Sequence, residues 1–128
     1  NRLERVGGEL NAYTTKEETW ISASFLERDS SRAIELISDI AFNSTFPEKE
    51  IVKERDVILD EIASVLDNPS DVIFDEFEER LFGNHPLGRT ILGTADSVRS
   101  LGKNEILDFV GRHYCPDQMV FASVGSTP

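Results

Sequence analysis

The sequence predicts an α+β fold, a mixed or antiparallel sheet with helices packed on one face. Three observations predict it. Residues 9 to 26 alternate apolar and polar with a period of two, the chain from Ser30 onward switches to three- and four-residue apolar steps, and turn residues cluster at 43–47, 68–69 and 84–93. In the first stretch Leu10, Ala12 and Thr14 oppose Asn11 and Tyr13, and Ile21, Ala23 and Phe25 oppose Trp20, Ser22 and Ser24. The polar Thr15-Lys16-Glu17-Glu18 between them makes a hairpin the simplest arrangement. Ahead of it, residues 2–8 have the look of a helix end running into a turn.

Ala33, Ile34, Ile37, Ile40 and Ala41 give the first full helix one apolar face. Asn43-Ser44-Thr45-Phe46-Pro47 breaks it, and Thr45 with Glu48 has capping-box spacing, with Pro47 tolerated in the first turn of a helix that runs to about Leu66. Asn68 followed by Pro69 caps a third helix, with Val72, Ile73, Phe77 and Leu81 on one face and its end near Gly83. Residues 84–93 form a loop, Thr94 caps a short helix to about Ser100, and 102–114 is a further helix carrying Ile106, Leu107, Phe109 and Val110. Met119 to Val124 is expected as a closing strand.

Composition narrows the functional classes. With 128 residues and 39% hydrophobic content the chain is expected to be one domain or most of one. Thirteen basic residues against 24 acidic ones, a formal charge of −11, exclude a phosphate-backbone footprint and with it nucleic acid as a partner. No apolar run approaches the roughly 20 residues of a membrane-spanning helix and no charged-then-apolar leader opens the sequence. A soluble chain with no membrane partner is expected, its compartment open but the cytoplasm favoured over the periplasm or an organelle. The single cysteine, Cys115, offers no internal disulfide and no cysteine-rich metal site, so any metal would be held by histidine and carboxylate.

The helix over 48–66 carries two acids of interest. At about 100° per residue, Glu54 and Glu61 lie within roughly 20° of each other, on a stripe with Ile58, Ile62 and Val65. Either both sit at the edge of that stripe and reach solvent, or a desolvated carboxylate meets a cation, a metal or hydrogen-bond donors. No His-Glu-x-x-His or His-x-x-Glu-His run exists in the chain, and His85 and His113 share no ligand spacing with each other or with Glu61. His85 suits a loop anchor and His113 a helix C-terminus. Trp20 and Phe25 are expected as core or interface aromatics, and Cys115 as a structural thiol.

Several landmarks recur in an order that resembles a known family. Val6-Gly7-Gly8-Glu9-Leu10-Asn11-Ala12-Tyr13-Thr14, Glu18-Thr19, Glu54 with Glu61, His85-Pro86-Leu87-Gly88-Arg89 with Gly93-Thr94, and His113-Tyr114-Cys115-Pro116 with Met119 resemble the pitrilysin and mitochondrial processing peptidase family, zinc metallopeptidases with an inverted zinc motif (peptidase family M16). The resemblance implies a zinc-dependent endopeptidase of extended peptides, built on the metallohydrolase-like half of a duplicated peptidase. Glu61 matches the third zinc ligand, Glu54 an acid that supports the site by orienting ligands, and Asn11, Ala12 and Tyr13 an edge strand that binds substrate by backbone pairing. A site of two histidines and one glutamate leaves a fourth position for water, whose pKa zinc lowers to about 7.

The inverted motif His-x-x-Glu-His would fall before Asn1, so residues 1–128 are expected to be a single partial domain, about the last three fifths of a catalytic one, incomplete at the N-terminus. By this reading zinc belongs to the intact parent, and the chain alone binds none and is inactive. A peptide substrate, a second homologous domain or subunit, and self-association through uncovered apolar surface are the implied partners. The alternative is a non-catalytic binding or scaffold subunit of the same fold.

Overall fold

A computed structural model describes residues 7–125. The expected helix end at residues 2–6 lies outside them. Two strands come first, β1 (Glu9–Thr14) and β2 (Thr19–Ser24), followed by α1 (Ser30–Phe42), α2 (Glu48–Leu66), α3 (Pro69–Phe82), α4 (Ala95–Ser100) and α5 (Lys103–His113). Single 3-10 turns occupy Glu27–Asp29, Pro86–Gly88 and Pro116–Gln118. The strands pair as a two-stranded antiparallel sheet, so the α+β class holds and the sheet is antiparallel rather than mixed among the described residues. No helix of the described residues is long and apolar enough to cross a membrane.

The chain falls into two units, one of residues 7–13, 19–45 and 107–125, the other of residues 14–18 and 46–106. In the first, β2 packs on α1. Ile21 and Ala23 are half-buried while Trp20, Ser22 and Ser24 are exposed, the alternation of a strand covered on one face. Ala33 and Ala41 are the buried residues of α1, and their small side chains leave room for the strand to approach. In the second unit α2 packs against α3 and α4, with Ile62 and Val98 as its buried apolar residues.

The local start and stop signals act as chemistry dictates. The Asn68 side chain accepts from the Ser70 amide at 3.2 Å with Pro69 as the first helical residue of α3, and Gly83, at φ 56°, ends that helix in a conformation unfavourable to residues with a Cβ. Thr94 and Ser97 exchange side-chain to backbone bonds of 3.1 and 2.9 Å, a reciprocal cap on α4.

Gly88 is buried against α3, and a Cβ there would meet the Gly83 carbonyl oxygen at 2.9 Å and Phe82 Cβ at 3.3 Å. Because the nearest obstacle is backbone, Gly88→Ala is expected to cost ~1–3 kcal/mol of stability, read as a lower urea midpoint at unchanged slope. An unchanged midpoint would show that the turn shifts freely.

Two expectations need correction. Thr45 does not cap α2, whose N-cap is Pro47 with no side-chain bond. Phe46 takes a positive φ of 46°, turning the chain between Thr45 and the helix and removing the threonine from capping position. Residues 119–124 form no strand, and Val120 and Val124 are almost wholly exposed. Alternation marks a segment able to pair, but a strand exists only where its N–H and C=O groups meet a neighbour, and among the described residues the sheet consists of β1 and β2. The apolar residues Ile73, Phe77 and Leu81 do lie along α3, yet with Phe74 they stay exposed.

Candidate functional site

The hairpin register decides what β1 can bind. The strands have six residues each, and the Thr15 amide donates to the Glu18 carbonyl at 2.8 Å in the turn that joins them. Extending that ladder sets Tyr13 opposite Trp20 and Asn11 opposite Ser22 as hydrogen-bonded pairs. The stacking of the Tyr13 and Trp20 rings, centroids 5.7 Å apart and 7° from parallel, agrees with this register. Backbone groups of Leu10, Ala12 and Thr14 therefore point away from β2, to the edge of β1 that has no neighbouring strand among the described residues. The Ala12 amide is occupied there by its neighbour's side chain, Asn11 Oδ1, at 2.9 Å. That oxygen stands where the carbonyl of an added strand would accept, so Asn11 satisfies an edge donor that would otherwise be left to solvent.

The second group of candidates lies on α2. Ile51, Arg55, Ile58, Ile62 and Val65, with Leu59 beside them, are its buried and half-buried positions, the five recurring at steps of four and three. Glu54 and Glu61 each precede a member of this row by one residue, so both are turned about 100° from its line. Both are exposed, so of the two alternatives the sequence left open it is the one in which the glutamates sit at the edge of the stripe and reach solvent. Two carboxylates seven residues apart nonetheless remain on one side of the helix, and within its own unit Glu61 has no hydrogen-bond or ion-pair partner among the described residues.

Sequence reasoning missed two anchors. Arg55, filling an otherwise apolar position of α2, packs its stem in the row and donates from Nη2 to the Leu101 carbonyl at 2.6 Å, while its Nε is buried without a partner among the described residues. This bond ties α2, one residue from Glu54, to the end of α4. Lys16, at the hairpin tip, donates to the Leu87 carbonyl at 2.8 Å and pairs with the Glu78 carboxylate of α3. Both bonds close over long stretches of chain, and no local pattern announces either. An open cleft of about 520 Å³ beside Lys16 is floored by Phe74, Phe82, Leu87 and Ile91, and neither Glu54 nor Glu61 lines it.

The histidines behave as side-chain anchors. His85 Nδ1 accepts from the Leu87 amide at 3.3 Å in the loop, and His113, the last residue of α5, packs its ring on Phe109 at 4.6 Å. Cys115 is half-buried with its thiol directed to the Gly111 and Arg112 carbonyls at 3.7 and 3.8 Å. Among the described residues no three His, Cys, Asp or Glu side chains come together as a metal-binding group. The described residues thus do not fit zinc as a complete site, and Glu61 can offer it one anionic donor.

The chain belongs to the insulinase family, peptidase family M16, whose model matches residues 1–95. It is 40% identical over 124 residues to an uncharacterized zinc protease of Mycobacterium leprae, covering 97% of this chain and 28% of the relative. It is 37% identical over 124 residues to an uncharacterized zinc protease of Rickettsia bellii, with 97% and 30% covered. It is 40% identical over 123 residues to the mitochondrial-processing peptidase subunit beta of Mus musculus, with 96% and 25% covered. The chain spans between 25% and 30% of the length of these curated relatives. The family resemblance drawn from the motifs is borne out.

Proposed function

We propose that the complete protein is a zinc-dependent endopeptidase that hydrolyses peptides bound in extended form. Residues 1–128 are part of its catalytic domain, inactive without the rest. The observation that carries this reading is the edge of β1, which has no neighbouring strand among the described residues, with the Ala12 amide directed outward and bonded to the adjacent Asn11 side chain. A peptide strand takes up that amide through its own carbonyl, and Asn11, Ala12 and Tyr13 form the pairing segment. Family membership supports the metal chemistry, as does the name zinc protease carried by the mycobacterial and rickettsial relatives.

Glu61 is one zinc ligand in this proposal, and Glu54 orients the site from behind it. The two other donors come from outside the described residues, as no group among these completes the set. A second homologous domain or subunit is the implied partner, in keeping with a relative named as the beta subunit of a peptidase.

The second reading is a non-catalytic binding subunit of the same fold. Chelation separates the two. The purified complete protein should cleave an unstructured peptide, lose roughly 100-fold or more of that rate when a chelator strips its metal, and recover it with zinc. Peptide binding without zinc and without cleavage would establish the binding subunit instead.

A further inference from the structure

We infer that Lys16 is a positioning residue for peptide hydrolysis, tying the end of the β1 edge to the unit that carries Glu61 and so setting where a bound peptide meets the metal. The inference rests on the reading of β1 as the peptide-binding edge and of Glu61 as a zinc ligand, and adds the device that brings the two into register. A lysine at a hairpin tip extends into water unless something holds it. The Lys16 side chain is only 18% exposed, with its ammonium donating to the Leu87 carbonyl at 2.8 Å and paired with the Glu78 carboxylate of α3.

Both ends of this tie are stiff. On the hairpin side, the Thr15 amide donates to the Glu18 carbonyl at 2.8 Å, and the Thr15 hydroxyl accepts from the Glu17 and Glu18 amides at 3.3 and 3.1 Å. The turn is thereby closed on itself around Lys16. On the other side, the Leu87 amide donates to His85 Nδ1 at 3.3 Å, and the Gly88 that follows is buried against α3 without room for a Cβ. The Leu87 carbonyl is an acceptor already fixed in place when Lys16 reaches it.

Residues 14–18 belong with α2 and α3 to the second unit, whereas residues 7–13 and 19–45 belong to the first. The chain of β1 therefore passes from one unit into the other between Ala12 and Lys16. The register of β1 on β2 is set inside the hairpin by its own ladder, so a peptide can pair with β1 whether or not the tip is tied. What the tie controls is the placement of that peptide against a metal held by Glu61 of α2, where a misplacement of about 1 Å costs roughly 100-fold in rate. Lys16 itself touches neither peptide nor metal and acts through the strand it holds.

The test uses the complete zinc-loaded protein and an unstructured peptide, with kcat, KM and bound zinc measured together. Lys16→Met keeps the apolar stem and removes both bonds, so kcat per bound zinc should fall roughly 10- to 100-fold while KM stays within about twofold of the unaltered value. Lys16→Arg, whose guanidinium has donors for both acceptors, should recover most of the rate. Glu78→Gln should cost about threefold alone and nothing further on top of Lys16→Met. A rate that falls only in step with zinc content, a KM that rises at constant kcat, or an arginine variant as slow as the methionine one would overturn the inference. Ala12→Pro, run beside these, reports on edge pairing itself. If it slows cleavage while Lys16→Met does not, the tie falls and the edge stands; if it leaves cleavage intact, the edge reading falls and the inference with it.

Discussion

Replacement of Glu61 by glutamine in the complete protein is expected to strip zinc and peptide hydrolysis together. The substitution keeps the shape of the side chain and removes the negative charge that Glu61 would bring to the proposed zinc site. Loss of a ligand exceeds loss of a group that merely orients one, so zinc affinity should fall by more than about 100-fold, with kcat falling in step. Fold is not the confounder here. Glu61 is exposed and without a partner in its own unit among the described residues, so glutamine removes no contact that holds α2 in place. Metal analysis of the purified variant decides the matter alongside the peptide assay. A full zinc complement in the glutamine variant would take Glu61 out of the ligand set.

Much of the fold was legible because its signals are local. The Asn68-Pro69 start of α3, its stop at Gly83 and the Thr94 cap of α4 are each satisfied within a few residues of the signal, and each was found. The elements that misled are those whose outcome is decided elsewhere. Residues 119–124 carry the alternation of a strand, but pairing requires a neighbour that their own sequence cannot supply. Thr45 has the spacing of a cap, yet the positive φ of Phe46 takes it out of reach.

The candidate site divides along the same line. The resemblance implied Asn11, Ala12 and Tyr13 as a substrate edge, which remains a proposal, while the stacking of Tyr13 on Trp20 was not read from the sequence, which expected Trp20 as a core or interface aromatic. The Lys16 and Arg55 anchors join residues 71 and 46 positions apart, and neither leaves a trace in periodicity. An arginine in the apolar row of α2 is itself a signal in retrospect, because a cation in that position needs an acceptor, which Leu101 provides. The sequence left open whether Glu54 and Glu61 reach solvent, and the structure shows both exposed, each one residue and so about 100° from the row through Ile51, Ile58, Ile62 and Val65.

The same edge geometry makes Ala12→Pro the sharpest single change available. Proline lacks the N–H that Ala12 directs outward, and its ring occupies the space an added strand would enter. Within the hairpin the loss is tolerable, because this N–H is bonded to Asn11 Oδ1 and not to β2, and proline is accepted in edge strands where its nitrogen faces away from the ladder. Asn11, as the residue before proline, is already extended in β1, which is the conformation that position demands. A substrate carbonyl left without its donor loses about 1–3 kcal/mol, before the clash of the ring is counted, so kcat/KM should fall by roughly 10- to 100-fold or more for every peptide regardless of side chains. Zinc content should stay at the level of the unaltered protein, since no proposed ligand is touched. That combination separates substrate pairing from metal binding: the glutamine variant at position 61 loses both zinc and rate, whereas the proline variant keeps its metal and loses the rate alone. Retention of full peptidase activity by Ala12→Pro, with circular dichroism showing the fold intact, would mean that substrates are held by some other surface than the edge of β1.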